Sequence, residues 1–115
     1  MYNDKIDVQK GISYLAGKEE IYKKIVSIFV KSAENKIDEL KTFYAQGDFK
    51  RLTIEFHGLK SSAATVGSTL LPELAQKLEA AGKSEDTSFI KENFNALIAQ
   101  YEDTCLALQG AAAQL

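Results

Sequence analysis

Apolar residues recur at three- and four-residue intervals along almost the whole chain, the spacing that paints one face of a helix. The pattern predicts an all-helical protein broken by Gly17, Gly47, Gly67 and Gly82, which fall between the periodic stretches. Glycine is placed there to end helices in the left-handed conformation at low cost. Five segments result.

The first is short, with Asp7 as N-cap and Ile12 and Leu15 as its buried positions. The second opens on Glu19 and Glu20, favourable at the positive end of a helix dipole, and carries Ile21, Ile25, Ile28, Phe29, Ala33, Ile37, Leu40 and Tyr44. Such a broad stripe predicts contact with two neighbours. Asp48 caps a third helix, about 48–66, with core members Phe49, Leu52, Phe56, Leu59, Ala63 and Val66. Ser68 is the predicted cap of a fourth, which tolerates Pro72 in its first turn and buries Leu71, Leu74, Ala75, Leu78 and Ala81. After a polar loop, 83–87, the last helix aligns Ile90, Phe94, Leu97, Tyr101, Cys105 and Leu108, and the alanines at 111–113 are expected to fray. Short connections force successive helices to run antiparallel. The expected fold is therefore an up-down antiparallel four-helix bundle with a short additional N-terminal helix over one end, one domain spanning 1–115.

Composition narrows the function. The 115 residues include 14 basic and 16 acidic side chains, a net charge of −2, so there is no broad positive field to hold nucleic acid or an anionic membrane. No apolar run approaches the roughly 20 residues of a membrane span, and the first ten residues lack the apolar stretch of a secretory signal. A cytoplasmic, monomeric protein is the expectation. One Cys and one His are too few for a disulfide or a structural zinc site, and Cys105 is read as a buried core thiol. Tyr22, Tyr44 and Tyr101 are read as packing residues. Met1 and the compact length favour a free-standing protein over a piece of a larger sensor kinase.

The single histidine, His57, carries the chemistry. Turning each residue about 100° from the last places it roughly 140° from the mean direction of the third helix's apolar residues, hence toward solvent. Lys60, Ser61 and Ala64 lie one and two turns further along the same side. Solvated helix faces are usually covered by long charged side chains, so small residues beside a histidine leave room for another protein. Neutral imidazole is a nucleophile near pH 7, an ammonium one turn away can offset phosphoryl charge, and in-line transfer needs an unobstructed approach. These features suit phosphoryl transfer; an idle surface histidine on an uncommitted helical bundle is the alternative they leave open. With no Gly-rich phosphate loop and no Walker-type Lys-Ser/Thr motif, the chain is expected neither to bind ATP nor to catalyse alone. Ile54, on the His57 side, is a candidate apolar contact for a partner.

The stretch His57-Gly58-Leu59-Lys60-Ser61-Ser62-Ala63-Ala64-Thr65-Val66-Gly67 resembles the signature of the histidine-containing phosphotransfer (HPt) family, His-x-Leu-Lys-Gly-Ser-Ser/Ala-Ala-x-aliphatic-Gly. The likeness extends to residues 16–22, to Gly47-Asp48 and to residues 74–79. It implies a bundle whose histidine, here His57, accepts a phosphoryl group at Nε2 from the aspartyl phosphate of a receiver domain and passes it to another receiver. It also implies that Lys60 places and neutralises the phosphate, that Ser61 and Ala64 make room for the receiver, and that Glu79 and Lys83 on the fourth helix add docking surface. No cofactor of its own is implied, magnesium arriving with the receiver, and the partners are receiver domains and a hybrid sensor histidine kinase. Such a protein is a phosphoryl carrier rather than a turnover enzyme. Ser61 replaces the glycine usual in the signature and is expected to affect partner choice or rate rather than activity as such. The competing reading keeps the surface and discards the chemistry: a non-phosphorylated, receiver-binding regulatory module. An enzyme or ligand carrier with a pocket between helices would need convergent polar groups that the apolar stripes do not supply.

Overall fold

A computed structural model describes residues 6–112 as five helices: α1 (Val8–Ser13), α2 (Glu19–Ala45), α3 (Phe49–Thr65), α4 (Leu71–Lys83) and α5 (Thr87–Ala112). Contacts run α2 to α3, α3 to α4, α4 to α5 and α5 back to α2, which closes a four-helix ring. Residues 46–48, 66–70 and 84–86 form the connections, too short for anything but antiparallel neighbours. The bundle measures 40 × 22 × 20 Å, and α1 lies against one end of it.

Caps explain where the helices begin. The Asp7 carboxylate accepts from the Lys10 N–H at 3.0 Å, Asp48 from Arg51 at 3.2 Å and Asp86 from Phe89 at 3.1 Å. The C-terminal ends of α2, α3 and α4 share one device: a left-handed residue after the helix lets the next N–H reach back, Asp48 to the Phe43 carbonyl at 2.9 Å, Ser68 to Ala63 at 3.0 Å and Asp86 to Ala81 at 2.8 Å. Gly47 and Gly67 supply the left-handed residue, with φ of 69° and 84°, but after α4 it is Glu85, with φ of 60°. Gly82, expected to end that helix, sits inside it. A Cβ there would run into the Thr53 side chain, so Gly82 serves the close approach of α4 to α3 instead.

The core holds every apolar residue predicted for α3 except Phe49, which is half-buried, and in α4 all but the half-buried Leu74. In α2 the buried stripe is Tyr22, Val26, Phe29, Ala33, Ile37 and Leu40, while the expected Ile21 and Ile28 are exposed. Tyr22 is fully buried because its hydroxyl donates to the Val66 carbonyl at 2.7 Å, which satisfies both polar groups at the end of α3. Burial pushes that phenol up to about 12, with Asp7 adding to the shift. Tyr44 stacks on Phe94 at 4.2 Å between ring centres, and Tyr101 packs on Phe29.

Three further expectations are corrected. Ser68 does not cap α4: it is buried, its hydroxyl has no partner, and its backbone pairs with Ile6 in an isolated antiparallel bridge. That bridge, with Asp7 N–H donating to the Gly67 carbonyl at 2.7 Å, ties the lead-in of α1 to the end of α3. Ala111 does not fray but is helical and buried, whereas Ala113 lies outside the described residues. Cys105 is half-buried rather than fully enclosed, and burial, then Glu102, pushes its thiol up to about 11.

Candidate functional site

Helix α3 turns Leu52, Phe56, Leu59 and Ala63 into the core, and the same register carries His57 outward, its side chain 65% exposed. Ser61 is exposed beside it and Ala64 half-buried, while Ile54 is 70% exposed on the same flank. Gly58 faces open space. The approach to the imidazole from solvent is thus bordered by small side chains. Ile54 and Lys83 share one surface depression with Phe49, Lys50 and Thr53, which brings two of the predicted partner contacts together.

Glu79 of α4 is not the exposed docking residue that the resemblance implied. Its side chain is only 6% exposed and lies beneath the site, where it accepts three donors. His57 Nδ1 is 2.7 Å from Oε2, Lys60 Nζ donates to Oε1 at 3.0 Å, and Lys83 Nζ donates to Oε2 at 3.1 Å. Lys83 reaches it from the next turn of α4, while His57 and Lys60, one turn apart on α3, come from across the helix pair. Lys60 therefore does not project freely beside the histidine: one of the three N–H groups of its ammonium is held by Glu79 Oε1.

The electrostatics fix the ring's tautomer. Hydrogen bonds from Lys60, then Lys83, and in smaller measure from His57, outweigh burial and hold the Glu79 carboxyl at about 2. At neutral pH the group is an ionised acceptor with no proton to give, so the hydrogen in the short contact belongs to His57 Nδ1. In the neutral ring the lone pair then lies on Nε2, the nitrogen away from Glu79 on an exposed ring. Chemically the arrangement presents an imidazole whose neutral form has its tautomer preset, with a cation within one turn.

A depressed carboxyl also makes a stability statement. The Glu79 contribution is fully present above the unfolded value near 4.5 and is lost as pH falls through about 2. Urea titrations between about pH 5 and pH 2.5 are expected to show a larger loss of stability for wild type than for Glu79→Gln, since the amide cannot titrate. Equal losses would mean that the three-donor cluster does not form in solution.

A separate groove is lined by Ile25, Ile28, Phe29, Ser32 and Lys36 of α2, Ser62 and Thr65 of α3 and Tyr101 of α5. Sequence periodicity placed its isoleucines in the core and so missed it. Among the described residues no cluster of three or more His, Cys, Asp or Glu side chains is placed to hold a metal ion, and no helix is long and apolar enough to cross a membrane.

The family model described as "Hpt domain" matches residues 24–113. Among solved structures, the fold is similar to the crystal structure of histidine-containing phosphotransfer protein B (HptB) from Pseudomonas aeruginosa PAO1, with a TM-score of 0.84 over 97% of each chain at 16% sequence identity. At that identity the likeness is one of fold. No curated protein matches the sequence.

Proposed function

The chain belongs to the Hpt domain family, and from that premise we propose that it is a phosphorelay carrier that takes a phosphoryl group on His57 Nε2 from a receiver-domain aspartyl phosphate and yields it to another receiver. The observation that carries this reading is the short contact between His57 Nδ1 and the ionised Glu79, which leaves an exposed Nε2 with its lone pair available. In the step itself the Nε2 lone pair attacks phosphorus in line, the bond from phosphorus to the aspartyl oxygen breaks, and its electrons return to the departing carboxylate. The ring becomes an imidazolium that keeps its Nδ1 proton against Glu79, so no proton has to move. Lys60, with N–H groups beyond the one given to Oε1, donates to a phosphoryl oxygen and neutralises part of its charge.

Ser61 and Ala64 flank this approach, and Ile54 with Lys83 borders it, as the surface a receiver covers. Magnesium belongs to the receiver's side of the reaction. The protein then acts as a cytoplasmic monomer and a carrier, supplied through a hybrid sensor kinase, with no nucleic-acid or membrane partner. The test is incubation with a phosphorylated receiver, following transfer of label and its chemical stability. Acid-labile, base-stable label on this protein is the expected result. Tight receiver binding without any label would replace the carrier by the receiver-binding regulatory module.

A further inference from the structure

The shared oxygen of Glu79 separates the roles of its two lysines. Lys60 is bound to Oε1, the oxygen remote from the ring, whereas Lys83 donates to Oε2, the same atom that faces His57 Nδ1. We propose that Lys83 sets the lability of the phosphoryl group on His57 by competing with Nδ1–H for this one carboxylate oxygen; the inference rests on the phosphoacceptor reading above.

The chemistry follows from which form of the ring departs. When the phosphoryl group leaves an Nδ1-protonated ring, the bond from phosphorus to Nε2 breaks, its electron pair returns to Nε2, and a neutral imidazole is released, while the oxygen of water or of a receiver carboxylate forms the new bond to phosphorus. If Nδ1 has first lost its proton, the departing group is an imidazolate, a far poorer leaving group. The lifetime of the phosphorylated state is therefore governed by how firmly Nδ1 keeps its proton. An anionic carboxylate at 2.7 Å favours the protonated ring, and a cation seated on the same oxygen opposes it.

The charged groups that face this pair are few. Lys60 comes from α3 and Lys83 from α4, while Lys50 of α3 and Glu85 after α4 line the depression that Lys83 borders. Charged groups of α2 and α5 are not among those that act on the Glu79 carboxyl. Of the two lysines on Glu79, Lys83 is the one seated on the oxygen that faces Nδ1. Removal of Lys83 strengthens the hold of Glu79 on Nδ1–H, so the reactive, protonated form persists to higher pH. Because its side chain is 69% exposed, the effect is scaled for a well-solvated charge: about half a pH unit, or roughly threefold in rate on the alkaline limb.

Phosphoramidate is the probe, a small donor that loads histidine directly and needs no docking surface. Loss of the label from folded wild type, Lys83→Met and Lys83→Arg, with helicity checked by circular dichroism, is followed by phosphorus NMR from about pH 5 to pH 10. The Lys83→Met profile is expected to lie about half a pH unit above wild type, and Lys83→Arg, which restores a cation on the oxygen, to superimpose on it. Coincident wild-type and Lys83→Met profiles, or a downward displacement, overturn the inference. So does a Lys83→Met protein that loses receiver transfer with an unchanged profile, since Lys83 would then be a docking cation. Wild type that accepts no label from phosphoramidate overturns the phosphoacceptor reading itself, and this inference with it.

Discussion

His57→Gln is expected to accept no label from a phosphorylated receiver while keeping its fold and its affinity for that receiver. The effect is all or none because the proposed step needs a nitrogen lone pair, and glutamine offers only an amide whose nitrogen pair is delocalised. Stability should change by less than about 1 kcal/mol, since the side chain is mostly solvated and a glutamine amide can donate to Glu79 in place of Nδ1–H. The experiment runs wild type and variant side by side for label transfer, receiver binding and thermal unfolding. Label of equal amount and equal acid lability on the variant would move the chemistry to another residue and end the proposal.

Phe56→Ala is expected to produce the opposite separation. Phe56 precedes the histidine but is fully buried, so truncation removes a large ring from the centre of the bundle and leaves a cavity. The cost is about 3–5 kcal/mol, a large share of the roughly 5–15 kcal/mol that stabilises a domain. Urea denaturation should show a lowered midpoint with an unchanged slope. The folded fraction should still be labelled, because the outward face of α3 and the Glu79 cluster are built by other residues. A loss under about 1 kcal/mol would mean that this position is not packed as described.

Adjacent residues with opposite consequences are what helical periodicity makes visible, and this is why so much of the site was legible in the sequence. The apolar stripe of α3 gives its inward direction, and the outward direction of His57, Ser61 and Ala64 then follows from the geometry of a single helix. Asp7 and Asp48 announced their caps for the same local reason. The role of Glu79 was hidden because it depends on the register between α3 and α4. Within α4 it has a lysine one turn on, a pairing common on any solvated helix face, and nothing local says that His57 and Lys60 meet it from across the pair.

Burial in α2 was misassigned through a similar non-local effect. Isoleucines at 21 and 28 outrank a tyrosine at 22 on hydrophobicity, yet the tyrosine is the one enclosed because a carbonyl at the end of α3 waits for its hydroxyl. Gly82 and Glu85 exchanged roles for two reasons. A glycine needed for helix contact has the same letter as a glycine needed for a turn, and a non-glycine residue tolerated the left-handed backbone.

The way the helices follow one another also sets how the chain assembles. Three of the four faces of the ring join helices adjacent in sequence, through connections of a few residues, so most of the core forms from local encounters with little loop entropy to overcome. Folding on the microsecond-to-millisecond scale typical of helical bundles follows from that topology. Among the described residues the α2–α5 face, the bridge between Ile6 and Ser68 and the hydrogen bond from Tyr22 to the Val66 carbonyl join more distant parts of the chain. The bridge pairs with backbone that the left-handed turn after α3 positions, so α1 is expected to attach late and to release early, which hydrogen exchange at the Asp7 N–H would read as weak protection beside the helices of the ring.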